Sequence, residues 1–193
     1  MKTRESGMPD EKMWEGFFSP MATLEKLGLT SEVRNLVDFG CGYGTFALAA
    51  ARVISGVVHA VDIEPEMVAI TRSKAKAQGL QNIKAVLRDF VGDGTGLPDQ
   101  SVDYAMLFNI LHAEDPGLLL NEAFRILRPG GLLAAIHWNF DPTTPRGPSM
   151  TIRPRPEQCR VWAEEADFRL RQPGLIDLPP HHYGLVFERP EEI

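Results

Sequence analysis

The sequence predicts an α/β protein organised as a three-layer sandwich, with helices on both faces of a doubly wound, mostly parallel β-sheet. Short apolar runs of strand-like composition alternate along the chain with segments whose apolar residues recur at helical spacing, and this alternation is typical of parallel sheets. The strand-like runs are apolar at nearly every position, as in Val57–Val61. Such runs are typical of strands that helices cover on both sides.

The first predicted element is an amphipathic helix within residues 14–27, where six apolar residues recur at spacings of three and four. Pro20 must start or kink one segment of this helix, because proline cannot continue a helical hydrogen-bond ladder. The elements predicted after it are strand Asn35–Phe39, helix Phe46–Ile54, strand Val57–Ile63, helix Pro65–Gln78, strand Ile83–Arg88, strand Val102–Asn109, helix Pro116–Leu127 and strand Leu132–Trp138.

The composition changes after the last of these strands. Residues 139–156 contain five prolines and few apolar side chains, which predicts a surface loop. A helix, Glu157–Ala166, and two strand-like runs, Phe168–Ile176 and Tyr183–Glu188, follow it. Because no helix separates the two runs, they predict an antiparallel hairpin joined to the parallel sheet.

Charge and cysteine content disfavour several classes of protein. Lysine and arginine number 20 against 26 acidic residues, and the net charge of -6 gives no general attraction to phosphate backbones, so nucleic acid is a disfavoured partner. Two cysteines are too few for a disulfide scaffold, and the polar N-terminus contains no signal-peptide core. No apolar stretch approaches the roughly 20 residues of a membrane span. We therefore expect a cytoplasmic protein that does not enter a membrane.

The strongest local signal is an apolar strand that leads directly into three glycines, Gly40, Gly42 and Gly44, and then into a helix. Glycines let the backbone turn sharply and approach a ligand, and ligands of open α/β sheets bind at the carboxyl ends of the strands. The dinucleotide fingerprint G-x-G-x-x-G would place its third glycine at position 45, where the chain has Thr45. A nicotinamide- or flavin-dependent oxidoreductase is therefore the disfavoured alternative.

An acidic residue, Asp62, closes the second predicted strand, about one βα unit after the glycines. A carboxylate at this place accepts hydrogen bonds from both ribose hydroxyls of a bound nucleotide. The alternative is that Asp62 only caps the helix that begins near Pro65. The position favours ribose binding.

These motifs resemble those of the class I S-adenosylmethionine-dependent methyltransferases over about residues 35–138. Val37–Gly44 resembles the first motif of that family, and Asp62 resembles its ribose-binding acid. Arg88-Asp89-Phe90 is similar to the segment that contacts adenine, and Asn109 lies where the fourth strand ends beside the methionine moiety. The cofactor-binding residues that the resemblance implies are Asp38, Phe39, Gly40, Cys41, Gly42, Gly44, Asp62, Ile63, Asp89, Phe90 and Asn109.

The resemblance implies a Rossmann-like, seven-stranded sheet with one antiparallel strand near the C-terminus, and S-adenosylmethionine as the cofactor. It is nearest to the small-molecule branch of methyltransferase type 11, which includes quinone-biosynthesis enzymes. We expect one domain over residues 1–193, made of an N-terminal helical lid segment (1–30), a cofactor-binding core (35–138), the proline-rich loop (139–156) and a C-terminal helix and hairpin (157–193).

Methyl transfer from a sulfonium requires in-line placement of a nucleophile and no nucleophilic side chain of the protein. A general base is needed only where the acceptor must lose a proton. The candidate residues for the acceptor pocket are His112, His181, His182 and Tyr183, since topology brings them to the carboxyl edge of the sheet. No paired-ligand spacing predicts a metal site.

The sequence predicts a small-molecule acceptor without identifying it. Two alternatives remain open at this stage. A non-catalytic protein that keeps the cofactor pocket as a sensor or partner-binding module would have the same motifs, because catalysis here rests on positioning. A protein or RNA acceptor is a second alternative. For RNA, the supporting feature is a group of four arginines near the proline-rich loop: Arg146, Arg153, Arg155 and Arg160.

Overall fold

A computed structural model describes residues 9–191 of the protein. The helices within these residues are α1 (Glu11–Glu15), α2 (Pro20–Lys26), α3 (Thr45–Val53), α4 (Pro65–Ala77), α5 (Pro116–Ile126) and α6 (Pro156–Glu165). The strands are β1 (Asn35–Phe39), β2 (Val57–Asp62), β3 (Ile83–Leu87), β4 (Val102–Phe108), β5 (Leu127–Trp138), β6 (Arg169–Leu170), β7 (Ile176–Leu178) and β8 (His182–Glu188).

All the strands form one sheet in the order β3-β2-β1-β4-β5-β8, and β6 and β7 each pair with a different part of β8. Strands β1 to β5 are mutually parallel, whereas β8 is antiparallel to β5. The sheet therefore has seven strand positions, and its last position is shared by two short strands. This arrangement confirms the predicted fold class.

Two strands differ from the prediction in their extent. The single strand expected over Phe168–Ile176 is divided into β6 and β7, because Pro173 lacks an amide hydrogen and Gly174 turns with a φ of +88°. Strand β5 begins earlier than expected, at Leu127, and the segment before Leu132 bulges out of its pairing with β4. The division places β7 beside His182–Gly184, which pair with the carboxyl end of β5, whereas the early start of β5 affects only the opposite edge of the sheet.

Alternation along the strands separates two cores, one on each face of the sheet. In β1, Leu36 faces the core beneath α1 to α4, and Val37 faces the core beneath α5 and α6. All residues of β1 after the first are buried, as the apolar sequence predicts for a strand covered on both faces.

Proline sets the start of four helices. Pro20, Pro65, Pro116 and Pro156 each occupy the first position of a helix, where the missing amide hydrogen has no partner to lose. The N-terminal helix expected over residues 14–27 is interrupted before Pro20, so that α1 and α2 are separate. This break lets α1 lie across the carboxyl edge of the sheet.

Candidate functional site

The three glycines after β1 have φ angles of +70°, +52° and +78°, a region that residues with a Cβ atom rarely adopt. A Cβ atom on Gly44 would also lie 2.8 Å from the Thr71 hydroxyl oxygen. That hydroxyl donates a hydrogen bond to the carbonyl of Gly42 at 3.0 Å and braces the turn from α4. Thr71 was not among the predicted site residues, and its only signal in the sequence is a polar residue within the buried stripe of a helix.

The glycine turn is bound to the end of β2. The amides of Gly40 and Cys41 both donate to the carbonyl of Val61, at 2.8 and 3.0 Å. The carboxylate of Asp62 accepts from the Gly42 amide at 2.8 Å and from the Glu64 amide at 3.0 Å, through different oxygens. Each carboxylate oxygen has two lone pairs, so each retains acceptor capacity for a ligand hydroxyl.

Asp38, the fourth residue of β1, is a second buried carboxylate beside this turn. It accepts a hydrogen bond from the Ala47 amide in the first turn of α3, whose N-cap residue, Gly44, has no side chain. Burial and the negative charge of Asp62 raise the pKa of Asp38 to about 7, although the bond from Ala47 opposes this shift. Burial also raises the pKa of Asp62, although the hydrogen bonds from backbone amides oppose this shift.

Asn109 follows β4 in the left-handed conformation, with a φ of +58°. The nitrogen and oxygen of its side-chain amide are both buried and have no hydrogen-bond partner among the described residues. A buried amide without partners is costly, so it indicates a place where a ligand supplies the missing bonds. The strained backbone at the same residue is typical of functional sites.

The other predicted cofactor residues have unequal access to the site. Phe39 is fully buried and contacts Phe90 edge-on, at 5.8 Å between ring centroids. Cys41 is buried, and burial raises the pKa of its thiol. Ile63 and Asp89 are partly exposed beside the ends of β2 and β3. Phe90 also approaches the turn, since a Cβ atom on Gly40 would lie 3.6 Å from its ring.

Two of the histidines meet where β4 and β5 end. Nδ1 of His112 lies 3.3 Å from Nε2 of His137, and the Trp138 amide donates to Nδ1 of His137 at 3.0 Å. Burial lowers the pKa of His112 to about 4 and holds the pKa of His137 well below the usual range. His137 is held within β5, where it pairs with Tyr183 of the antiparallel strand β8.

His182 has a different environment on the opposite face of the sheet. Its ring lies 4.3 Å from Phe18 and 4.2 Å from Trp138 between centroids, and it is fully buried. Both ring nitrogens lack a hydrogen-bond partner among the described residues. His181 is partly exposed and stacks on Trp138 at 6.1 Å.

Tyr183 is buried, and its hydroxyl donates to the carbonyl of Pro154 at 3.0 Å. Burial raises the pKa of this phenol. The hydroxyl therefore connects β8 to the end of the proline-rich loop, and this bond gives it a structural role. The structure thus separates Tyr183 from His182, with which it was grouped.

The N-terminal segment covers the carboxyl edge of the sheet. The Trp14 indole donates to the Thr45 hydroxyl at 3.1 Å, at the start of α3. Phe17 contacts Trp138 at 5.1 Å, and Phe18 contacts Phe46 at 5.0 Å. An ion pair between Lys74 and Glu11 joins α1 to α4.

A buried arginine organises the proline-rich loop. The guanidinium of Arg153 donates to the backbone carbonyls of Asn139, Asp141, Arg146 and Pro148 at 2.9 to 3.2 Å. The guanidinium therefore satisfies backbone carbonyls that have no partner in a helix or a strand. Among the arginines of this region, Arg153 thus stabilises the folded loop.

Two further results bear on the chemistry of the site. Within residues 9–191, no cluster of three or more histidine, cysteine, aspartate or glutamate side chains is placed to hold a metal ion. In the same part of the chain, every helix is too short or too polar to cross a membrane.

The glycine turn, Asp62 and Asn109 lie at the carboxyl ends of β1, β2 and β4, an arrangement typical of α/β proteins that bind a nucleotide-like ligand. Comparison with known proteins identifies the cofactor. Residues 36–131 match the family model described as "Methyltransferase domain". The chain belongs to the class I S-adenosylmethionine-dependent methyltransferases, in the type 11 branch.

Individual relatives agree with this assignment. The chain is 29% identical to an aklanonic acid methyltransferase of Streptomyces sp. strain C5, over 86% of this chain and 85% of that one. It is 30% identical to a demethylmenaquinone methyltransferase of Geobacillus kaustophilus, over 53% of this chain but only 44% of that longer relative. A methyltransferase structure from Aquifex aeolicus has the same fold, with a TM-score of 0.79, 23% identity and 90% of each chain covered.

The side-chain amide of Asn109, which has no partner in the described part of the chain, leads to a first prediction. Replacing Asn109 by glycine keeps the left-handed backbone and removes both polar atoms, so affinity for S-adenosylmethionine should fall roughly 5- to 100-fold, about 1–3 kcal/mol for two lost hydrogen bonds. The free energy of unfolding should stay within about 1 kcal/mol of wild type, because an unsatisfied amide is removed. Calorimetric titration, with NAD as a negative control, measures the affinity.

The matched control is Asp167→Gly, which places glycine at an exposed residue with a φ of +65°. That variant should bind the cofactor as wild type does. Unchanged cofactor affinity in Asn109→Gly would remove Asn109 from the site.

The raised pKa of Asp38 leads to a second prediction. Because the folded-state pKa of about 7 exceeds the ordinary 3.8, the folded protein binds the extra proton, and stability should fall as pH rises from about 4 through 7. Asp38→Asn removes this fall. Between acid pH and pH 9, the free energy of unfolding of the variant should therefore rise by up to about 4 kcal/mol relative to that of wild type, at 1.36 kcal/mol per pKa unit. Urea unfolding across this pH range measures the difference.

An exposed aspartate on β7, Asp177, supplies the control for this experiment. Asp177→Asn should leave the pH dependence of the wild type intact. Parallel stability curves for Asp38→Asn and wild type would show that Asp38 is ionised normally in the folded protein.

Proposed function

We propose that this protein transfers the methyl group of S-adenosylmethionine to a small, flat acceptor that binds beneath the N-terminal lid segment. The observation that carries the proposal is His182, a fully buried imidazole between the rings of Phe18 and Trp138 whose two nitrogens have no hydrogen-bond partner within residues 9–191. Aromatic walls favour a flat acceptor, and an unpartnered polar atom among them favours one with a hydrogen-bonding group.

On the cofactor side, we assign Asp62 to the ribose hydroxyls and the amide of Asn109 to the methionine moiety. Ile63, Asp89 and Phe90 are assigned to the adenine ring. The glycine turn brings backbone close to the cofactor without interposing side chains. The acceptor capacity of Asp62 and the side-chain amide of Asn109, which has no partner within residues 9–191, support the first two roles.

Asp38 contributes through its charge. It and Asp62 are buried close enough for the charge of one to raise the pKa of the other. S-adenosylmethionine carries a sulfonium and an ammonium, and each opposite charge favours the ionised carboxylates. The demethylated product lacks the sulfonium charge, so this pair favours substrate over product.

The acceptor side is small because the lid and the loop are both short and well braced. Trp14 is hydrogen-bonded to the start of α3, and Arg153 fixes the loop opposite. We take the lid segment, core, loop and C-terminal hairpin as one domain with one active site. The two relatives named above are called after aklanonic acid and demethylmenaquinone, which agrees with a small-molecule acceptor.

Replacement of His182 by phenylalanine tests the acceptor pocket. The variant should be more stable than wild type by about 1 kcal/mol, since an apolar ring replaces a buried ring that has unsatisfied nitrogens. The KM for the acceptor should rise roughly 5- to 100-fold through the lost hydrogen bond, while affinity for S-adenosylmethionine stays constant. Transfer of labelled methyl to hydroxylated naphthoquinones and anthraquinones provides the assay, with tRNA and unfolded protein as competing acceptors.

His59→Phe is the control, because His59 lies within β2 and not among the aromatic rings of the lid. It should leave the KM for the acceptor unchanged. Methylation of tRNA or protein in preference to every aromatic compound would contradict the proposed acceptor class. A His182→Phe variant with unchanged KM would contradict the proposed pocket.

A further inference from the structure

The hydrogen bonds around His137 determine where the protons of two histidines lie. A backbone amide is always a donor, so the Trp138 amide, 3.0 Å from Nδ1 of His137, requires an unprotonated nitrogen there. A neutral imidazole has one ring proton, which must then be on Nε2 of His137. The backbone of β5 thus selects one tautomer of this buried ring.

The second histidine follows from the first. Nε2 of His137 lies 3.3 Å from Nδ1 of His112 and donates to it, so Nδ1 of His112 is unprotonated. The proton of His112 is therefore on Nε2, the ring nitrogen that remains for a ligand. The chain of donors runs from the Trp138 amide through two rings to the N–H of a partly exposed side chain.

This N–H lies at the cofactor edge of the sheet. His112 comes three residues after Asn109, and the backbone N–H of Asn109 donates to the carbonyl of Ile136 at 2.8 Å, which ties the ends of β4 and β5 together. Between these two residues, Ile110 contacts the glycine turn, since a Cβ atom on Gly40 would lie 3.5 Å from its side chain. The loop that holds His112 is thus part of the cofactor site.

We propose that His112 is a positioning residue that donates a hydrogen bond from Nε2 to an ionised oxygen of the acceptor, an acidic enol or a phenol that binds as its anion. This inference rests on the proposed methyl transfer to a small acceptor. It specifies that the acceptor binds as an anion, whereas the aromatic rings around His182 favour only a flat molecule.

The neutral state of both rings supports a donor role over a base role. Burial lowers the pKa of His112 to about 4, and burial, His112, His182 and Arg153 together hold the pKa of His137 far below neutrality. At neutral pH the pair is uncharged, and both of its accepting nitrogens are already hydrogen-bonded. It has no free lone pair with which to take a proton from the acceptor.

An anionic acceptor balances the reaction without a base. The oxygen of a phenolate, or the carbon of an enolate, forms a bond to the methyl carbon while the S–CH3 bond breaks. The bonding electron pair moves to sulfur and yields neutral S-adenosylhomocysteine, so the negative charge of the acceptor and the positive charge of the sulfonium disappear together. After methylation at an enolate C–H carbon, any proton lost on renewed enolisation goes to solvent.

The tautomers are measurable in the full chain without any acceptor. Protein labelled with 15N in its histidine rings should show both His112 and His137 neutral at pH 7, with the proton on Nε2 and a bare Nδ1 in each. His137→Phe should release His112 from this single tautomer. A proton on Nδ1 of His112 in wild type would overturn the proposal.

The donor role is tested by binding of 2-hydroxy-1,4-naphthoquinone, 4-nitrophenol and a 1,3-diketone, as their anions, to protein saturated with S-adenosylhomocysteine. His112→Ala should weaken the bound anions about 10- to 100-fold, the effect of losing a hydrogen bond to a charged group. His112→Gln, which keeps an N–H near the position of Nε2, should lose much less. Uncharged 1,4-naphthoquinone should bind the three proteins equally.

The two proposals fail in different ways. Absence of S-adenosylhomocysteine binding would contradict the proposed function. Normal binding of that product, together with no binding of any anionic probe or with equal binding by wild type and His112→Ala, would overturn the donor role. His59→Gln is the control for loss of a histidine elsewhere in the sheet, and it should bind the probes as wild type does.

Discussion

The site depends on the hydrogen bond from the Gly42 amide to the Asp62 carboxylate, which joins the ends of β1 and β2. Three left-handed glycines make the turn possible, and this bond fixes where it lies. The same carboxylate is the proposed ribose ligand. One buried charge thus shapes the turn and keeps free lone pairs for the cofactor, so a change at Asp62 affects the turn and the proposed ligand contact together.

Much of the fold could be predicted because local signals agreed with the tertiary structure. Helix-starting prolines such as Pro65 and Pro116, and strands that are apolar at most positions, mark elements whatever their neighbours are. The prediction did not give the full separation of α1 from α2 or the division of one strand into β6 and β7. Both features have local causes, Pro20 for the break and Pro173 with Gly174 for the division. The exact bounds of β6 and β7 depend in addition on pairing with β8, which no local pattern encodes.

The candidate site divides in the same way. The placement of Asp62 and Asn109 at one edge of the sheet could be predicted, Asp62 from its position at the end of a parallel strand and Asn109 from the family resemblance. The contact between His112 and His137 could not, since it requires the register that pairs Phe108 with Ile136. His182 and Tyr183 were grouped from sequence, yet successive strand residues face opposite sides of the sheet. The first therefore meets the lid segment and the second meets the proline-rich loop.

The electrostatics of the two halves are complementary. Near the glycine turn lie two buried carboxyl groups, which favour a cationic cofactor. At the ends of β4 and β5 lie two histidines that burial keeps neutral. A protonated histidine there would oppose the sulfonium and compete with it for an anionic acceptor. Neutral rings leave the sulfonium as the positive charge that an anionic acceptor meets, so attraction between the reactants favours the transfer geometry. Burial of these histidines thus serves the reaction by excluding a competing charge.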